Sequence, residues 1–121
     1  MGQGSPEEYS RKWAAVDNYL VSNLVDSDPV LDQVLKNNHQ AGLPAHDVAP
    51  NQGKLLALFA QIISAQKVLE IGTLGAYSTI WLARALPALG KVVTLEADPH
   101  HARIAQTNIE LAGLQDKITL H

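Results

Sequence analysis

The sequence predicts an α/β fold: three helices followed by β-α-β-α-β, one half of a doubly wound sheet with parallel strands in the order 3-2-1. Three observations carry this. An apolar run, Val68-Leu69-Glu70-Ile71, stops at a turn containing Gly72 and Gly75, and a helical pattern starts at Tyr77. A second run, Lys91 to Leu95, ends at Glu96, and a third begins at Lys117, each reached through another helical stretch. Ahead of them, residues 5–64 carry apolar side chains at spacings of three and four, broken by turn residues. The 121 residues make a single domain, with helices and a loop over 5–50 and the sheet-forming half over 51–121.

Composition narrows the function classes. The chain is 46% hydrophobic and 17% charged, which suits a globular core. A net charge of −3, a pI near 5.9 and the lack of a dense Lys/Arg cluster argue against nucleic-acid binding. Without cysteine there is no disulfide and no thiolate metal site. No apolar run reaches the length of a membrane span, and the N-terminus lacks the hydrophobic region of a signal peptide, so a cytoplasmic protein without membrane contact is expected.

In chain order, Ser5-Pro6-Glu7-Glu8 starts the first helix, with Ser5 as N-cap and Glu8 completing a capping box. Tyr9, Trp13, Val16, Leu20 and Leu24 give it one apolar face, which either covers the core or meets a partner or substrate. Asp28-Pro29 repeats the start signal; Val30, Leu31, Val34 and Leu35 form a second amphipathic helix that Gly42 ends. Leu43 to Pro50, with two prolines and no helical period, is a loop, and His46 and Asp47 within it read as solvated residues rather than an acid/base pair. In the next helix, Asn51 to Ser64, the stripe Leu55, Leu56, Phe59, Ile62 and Ile63 is expected to pack on the sheet.

Val68, Leu69 and Ile71 have the character of a strand buried on both faces. Gly72 and Gly75 then let the backbone turn and approach a ligand, with main-chain N–H groups aimed above the strand's carboxyl end. The helix from Tyr77 to Leu86 turns Ile80, Trp81 and Leu86 inward and stops at Pro87 and Gly90. Ser78, in its first turn, either caps the helix or meets a carboxylate. Asp98-Pro99 starts another helix with Ile104, Ile109 and Ala112 inward and Gly113 as stop. His100 and His101 diverge by about 100° on that helix, too far apart to share a metal.

The glycine turn invites comparison with the dinucleotide fingerprint G-x-G-x-x-G. Placing its last two glycines on Gly72 and Gly75 puts Glu70 at the first, and a carboxylate there would repel a pyrophosphate. A ligand with a cationic end suits it better. S-adenosylmethionine carries a sulfonium and an ammonium group, and its ribose needs an acceptor at the end of the next strand. Glu96 stands there, 26 residues after Glu70, although alone it could be an ordinary exposed acid.

LEIGTLGAYS, KVVTLEADP and IAQTNIELAGLQDKI resemble the cofactor half of the class I S-adenosylmethionine-dependent O-methyltransferases of the catechol and caffeoyl-CoA type, from about Gly42 to His121. The resemblance implies a Rossmann-like class I methyltransferase fold, N-terminal half only, with Val48, Glu70, Gly72, Thr73, Ser78 and Glu96 holding the cofactor. Within it, Val48 would touch the methionine part, Ser78 its carboxylate and Glu96 the ribose. It also implies methyl transfer to a hydroxyl of a small, phenolic acceptor, assisted by a Mg²⁺-type divalent ion. In that family the adenine loop, the metal ligands and the acceptor site lie on four further strands, so no catalytic residue and no metal ligand is assigned in this chain. Two other readings stay open: a non-catalytic module assembling with another chain, and an NAD(P)-binding enzyme, which Glu70 disfavours. Nothing in the sequence pairs with the outer edge of the glycine strand, so association through that edge, as a homodimer or larger assembly, is expected.

Overall fold

The computed structural model describes residues 2–121. Helices α1 (Pro6–Leu24), α2 (Pro29–Gln40) and α3 (Pro50–Ile62) precede β1 (Lys67–Ile71), α4 (Tyr77–Ala85), β2 (Lys91–Leu95), α5 (Pro99–Leu111) and β3 (Ile118–Leu120). The strands are parallel with β2 in the middle, as the sequence predicts. Glu70 stands level with Thr94, and Thr94 with Leu120. Among the described residues no helix is long and apolar enough to cross a membrane.

The helix starts follow their side chains. Ser5 accepts from the Glu8 amide at 3.2 Å, the serine half of the expected capping box. Asp28 accepts from Val30 and Leu31 at 3.0 and 3.1 Å, and Asp98 from His100 and His101 at 2.8 and 3.2 Å. A proline follows each cap, fixing φ where no N–H is needed. At the far ends Gly42 and Gly113 take left-handed φ values of 74° and 67°.

The core lies on one face of the sheet. Val92 and Ile118, with the half-buried Val68, pack against Ala83 and Leu86 at the end of α4 and Ala105 and Ile109 of α5. A second cluster joins Leu31 and Val34 of α2 to Tyr77 and Ile80 of α4. Strand periodicity sends Leu69, Ile71 and Leu95 to the opposite face, which no described element covers. The expectation that β1 is buried on both faces is therefore corrected: Leu69 is 64% and Ile71 81% exposed.

Helix α3 also differs from expectation, and α1 does not take the core-covering place, one of the two the sequence left open to it. The apolar stripe of α3 does not lie on the sheet: Leu55, Phe59, Ile62 and Ile63 are exposed, and the buried residues are Gly53 and Ala60. The reason is close approach to α4, since a Cβ at position 53 would stand 2.4 Å from the Trp81 ring. Small side chains there bring the helix axes together and leave the large ones outside. Helix α1 buries no residue and does not cover the core. Polar ties hold it to α3: Asn51 donates to Asp17 at 3.0 Å, and the Lys54 ammonium caps the carbonyl of Leu24.

Gly53→Ala should lower stability by about 1–3 kcal/mol, because the overlap with Trp81 outweighs the ~1 kcal/mol that alanine gains over glycine in a helix; a denaturant melt checks this. The cap of α2 adds a pH dependence. Burial opposes the Asp28 charge, but the Leu31 amide, Arg84 at 2.5 Å and the Val30 amide outweigh it and hold the carboxyl below its ordinary value. A lowered folded-state pKa contributes stability above the unfolded value that disappears as pH falls through the folded one. Asp28→Ala should thus cost about 1 kcal/mol at neutral pH, and the difference from wild type should vanish at the acid end of a pH series of thermal melts.

Candidate functional site

The site forms where β1 and β2 end and the glycine loop turns into α4. Gly72 has φ 92°, and its Cβ position faces open space, so only backbone occupies the place where a ligand would approach. Leu74 and Ala76 are also left-handed, at φ 51° and 70°, an uncommon state for residues with a Cβ. Gly75 has a different reason for being glycine than the expected ligand approach. A Cβ there would lie 1.9 Å from Oδ1 of Asn38, so its lack of a side chain seats the loop on α2.

Glu96 follows β2 and braces the loop. Its Oε1 accepts from the Leu74 amide at 2.7 Å and its Oε2 from the Asp98 amide at 3.0 Å. With Ile71, Gly72, Leu95, Ala97 and His121 it lines an open depression of about 430 Å³. A groove of about 460 Å³ between α1 and α3, lined by Leu20, Leu24, Leu55 and Leu58, shares no residue with the loop.

Glu70 is the most heavily bonded of the expected site residues. Ser78 donates to its Oε2 at 2.7 Å, and Thr79 and Thr94 donate to its Oε1 at 2.5 and 2.9 Å. Because the Thr94 proton goes to Glu70, the 2.6 Å contact between Thr73 and Thr94 has Thr73 as donor. A carboxylate accepts about four hydrogen bonds, so Glu70 keeps one direction for a further donor such as an ammonium group. The Ser78 proton is committed to Glu70, and the donors left at the start of α4 are main-chain N–H groups. Val48 packs on the cluster of Leu31, Val34, Tyr77 and Ile80. The fold thus gathers Glu70, Gly72, Thr73, Ser78 and Glu96 around one loop and sets Val48 against the helix that follows it.

Residues outside the sequence prediction complete the arrangement. Thr94 lies in an apolar run, and only its register opposite Glu70 shows its part. Asn38 and Asn108, 2% and 0% exposed, join α2, α5 and the glycine loop. The signal for Asn108 is its place in the inward series Ala105, Asn108, Ile109, Ala112, where an amide interrupts an apolar face. Asp47, half-buried beside Val48, accepts from Asn38 at 3.2 and 3.4 Å, and burial raises its pKa above the ordinary value. His46 is exposed; the His100 ring meets the Ala41 carbonyl at 2.8 Å, whereas the His101 ring lies 3.9 Å from Glu96 and 3.7 Å from Asp98. Among the described residues no three His, Asp or Glu side chains gather as metal ligands would.

The comparisons with known proteins point one way. Residues 21–121 match the O-methyltransferase family. A catechol O-methyltransferase from Niastella koreensis is 48% identical over 106 residues, covering 88% of this chain and 48% of that protein. The crystal structure of an O-methyltransferase from Bacillus cereus in complex with SAH superposes with a TM-score of 0.89 at 54% identity, over 92% of this chain and 50% of the other. The O-methyltransferase TomG from Streptomyces achromogenes, in complex with SAM, gives 0.84 at 40% identity over the same 92% and 50%. The chain therefore spans about half the length of the relatives it matches. With its partial Rossmann-like sheet and its glycine loop braced by Glu96, it belongs to the O-methyltransferase family.

Proposed function

We propose that the protein is a cytoplasmic S-adenosylmethionine-dependent O-methyltransferase acting on a hydroxyl of a small, phenolic acceptor, with residues 51–121 as its cofactor-binding half. The observation that carries the reading is Glu96 clamped to the glycine loop at 2.7 Å, beside an open position at Gly72. A carboxylate fixed at that point suits a ribose diol, and the bare Gly72 backbone suits a close-lying ligand. Relatives solved with SAM or SAH support the same cofactor.

In this reading Glu96 accepts from the ribose hydroxyls while keeping its bonds to Leu74 and Asp98. Glu70, with three hydroxyl donors already in place, directs its remaining acceptor capacity at the ammonium group. Gly72 and Thr73 bring main chain close to the ligand, Val48 packs on its methionine part, and the first N–H groups of α4, the Ser78 amide among them, receive its carboxylate while the Ser78 hydroxyl stays on Glu70. When bound, the cofactor supplies an activated methyl group for in-line attack by the acceptor oxygen. These residues orient and hold. The divalent ion that the resemblance implies finds no ligand set among the described residues.

Calorimetric titration of S-adenosylhomocysteine into the full-length protein tests this. Binding should be measurable, and Glu96→Ala should weaken it by at least roughly tenfold, since both the ribose contact and the brace on Leu74 go. No binding at millimolar ligand would end the proposal. The reading also includes a homodimer in which the outer edge of β1 and the exposed Leu69 and Ile71 are covered. Sedimentation should then show a dimer at micromolar concentration, whereas a folded monomer with the amides of Val68 to Ile71 protected from exchange would contradict it.

A further inference from the structure

A run of side-chain amides, exposed at Gln33 and buried at Asn38 and Asn108, links the glycine loop to the loop that carries Val48. Gln33 Nε2 donates to Asn37 Oδ1 at 2.8 Å, and Asn37 Nδ2 donates to Asn108 Oδ1 at 2.8 Å. Asn108 Nδ2 then uses both protons, on the carbonyl of Gly75 at 2.8 Å and on Asn38 Oδ1 at 2.9 Å. Asn38 Nδ2 donates in turn to the Asp47 carboxylate at 3.2 and 3.4 Å. Apart from the branch to the Gly75 carbonyl, the bonds run in one sense and end on the Asp47 anion, so each polarises the next. Turning over either buried amide would set NH₂ against NH₂ and oxygen against oxygen, so the direction is unique.

What the run holds is more telling than what it stabilises. Gly75 lies between Leu74 and Ala76, both left-handed with a Cβ, and such conformations persist only where their surroundings over-determine them. Its carbonyl is fixed by Asn108, and its missing side chain leaves the room that Asn38 fills, so α2 and α5 grip the loop at its most strained point. Through Asn38 the same amides reach Asp47, the neighbour of Val48. The two loops thus share one buried connector, and a shift of either must break a bond inside the protein.

We propose that Asn108 is a positioning residue for cofactor binding, holding the glycine loop and the Val48 loop in one geometry through Asn38 and Asp47. This rests on the function proposed above. It touches no ligand itself; its effect passes through the Gly75 carbonyl and the Asp47 carboxylate.

The test is S-adenosylhomocysteine titration of the full-length protein carrying Asn108→Ala, Asn108→Ser or Asp47→Ala, with Ile109→Val as a control. Ile109 is a buried neighbour that makes none of these bonds, so its variant loses stability without touching the connector. Asn108→Ala should weaken binding by about tenfold, Asn108→Ser, which keeps one donor, by less, and Ile109→Val should bind as wild type. Wild-type affinity in folded Asn108→Ala, or an equal loss in Ile109→Val at matched stability, overturns the proposal. Should Asn108→Ala fail to fold, Asp47→Ala decides from the more accessible end: weakened binding supports the connector and unchanged binding refutes it. The ligand-free protein separates the two readings, because Asp47→Ala should shift the amide resonance of Ala76 across the connector whether or not anything binds. A shift without wild-type binding defeats the proposed cofactor and leaves the coupling standing; an unmoved Ala76 resonance defeats the coupling alone.

Discussion

The Glu70 carboxylate is the interaction on which the site depends. It stands one residue from the end of β1, half-buried, where an unpaired charge would be costly. Three hydroxyls answer it, two from the first turn of α4 and one from β2. Hydrogen bonds to a charged group are worth about 1.5–3 kcal/mol each, so together they can offset its desolvation and also tie strand, strand and helix at one point. Thr73 extends the tie into the glycine loop by donating to Thr94. The same bonds decide what the site offers a ligand: Glu70 retains little acceptor capacity, and the Ser78 proton is already engaged.

Around this point close approach is managed by small residues. Gly53 brings α3 onto Trp81, and Gly75 brings the loop onto Asn38. Either replacement by a larger residue would force backbone elements apart, since the opposing atoms are a fixed ring and a buried amide rather than a flexible chain end. The consequence is a lopsided molecule. One sheet face is packed by helices, while Leu69 and Ile71 on the other remain exposed together with the outer stripes of α1 and α3. Apolar surface of that extent is unusual for a protein acting alone, and the chain spans only about half the length of its relatives.

The glycine loop shows how strain and support accompany one another. Leu74 and Ala76 accept left-handed backbone although glycine would do so more easily; Leu74 is held from outside by Glu96 and Gly75 by Asn108, while Ala76 is held within the loop by the Thr73 carbonyl at 2.9 Å. A loop fixed from several elements presents its N–H groups in one arrangement before any ligand arrives, which lowers the ordering cost of binding.

What the sequence alone determined is what depends on local spacing. Ser5, Asp28 and Asp98 ahead of proline mark helix starts because a cap needs only its own next three residues. Gly72 and the offset from Glu70 to Glu96 disclose the loop and an acid at the end of the next strand, because strand, turn and helix lengths fix where that strand ends. Burial was another matter. The stripe of α3 read as sheet-facing and that of α1 stayed open between core and partner, since periodicity shows that a helix has an apolar face but not what the face meets. The roles of Thr94, Asn38 and Asn108 likewise depended on tertiary structure, because their partners lie up to 71 residues away in the chain. A hydroxyl opposite a carboxylate, or an amide between two loops, acquires its part only when register and helix packing bring the atoms within bonding distance.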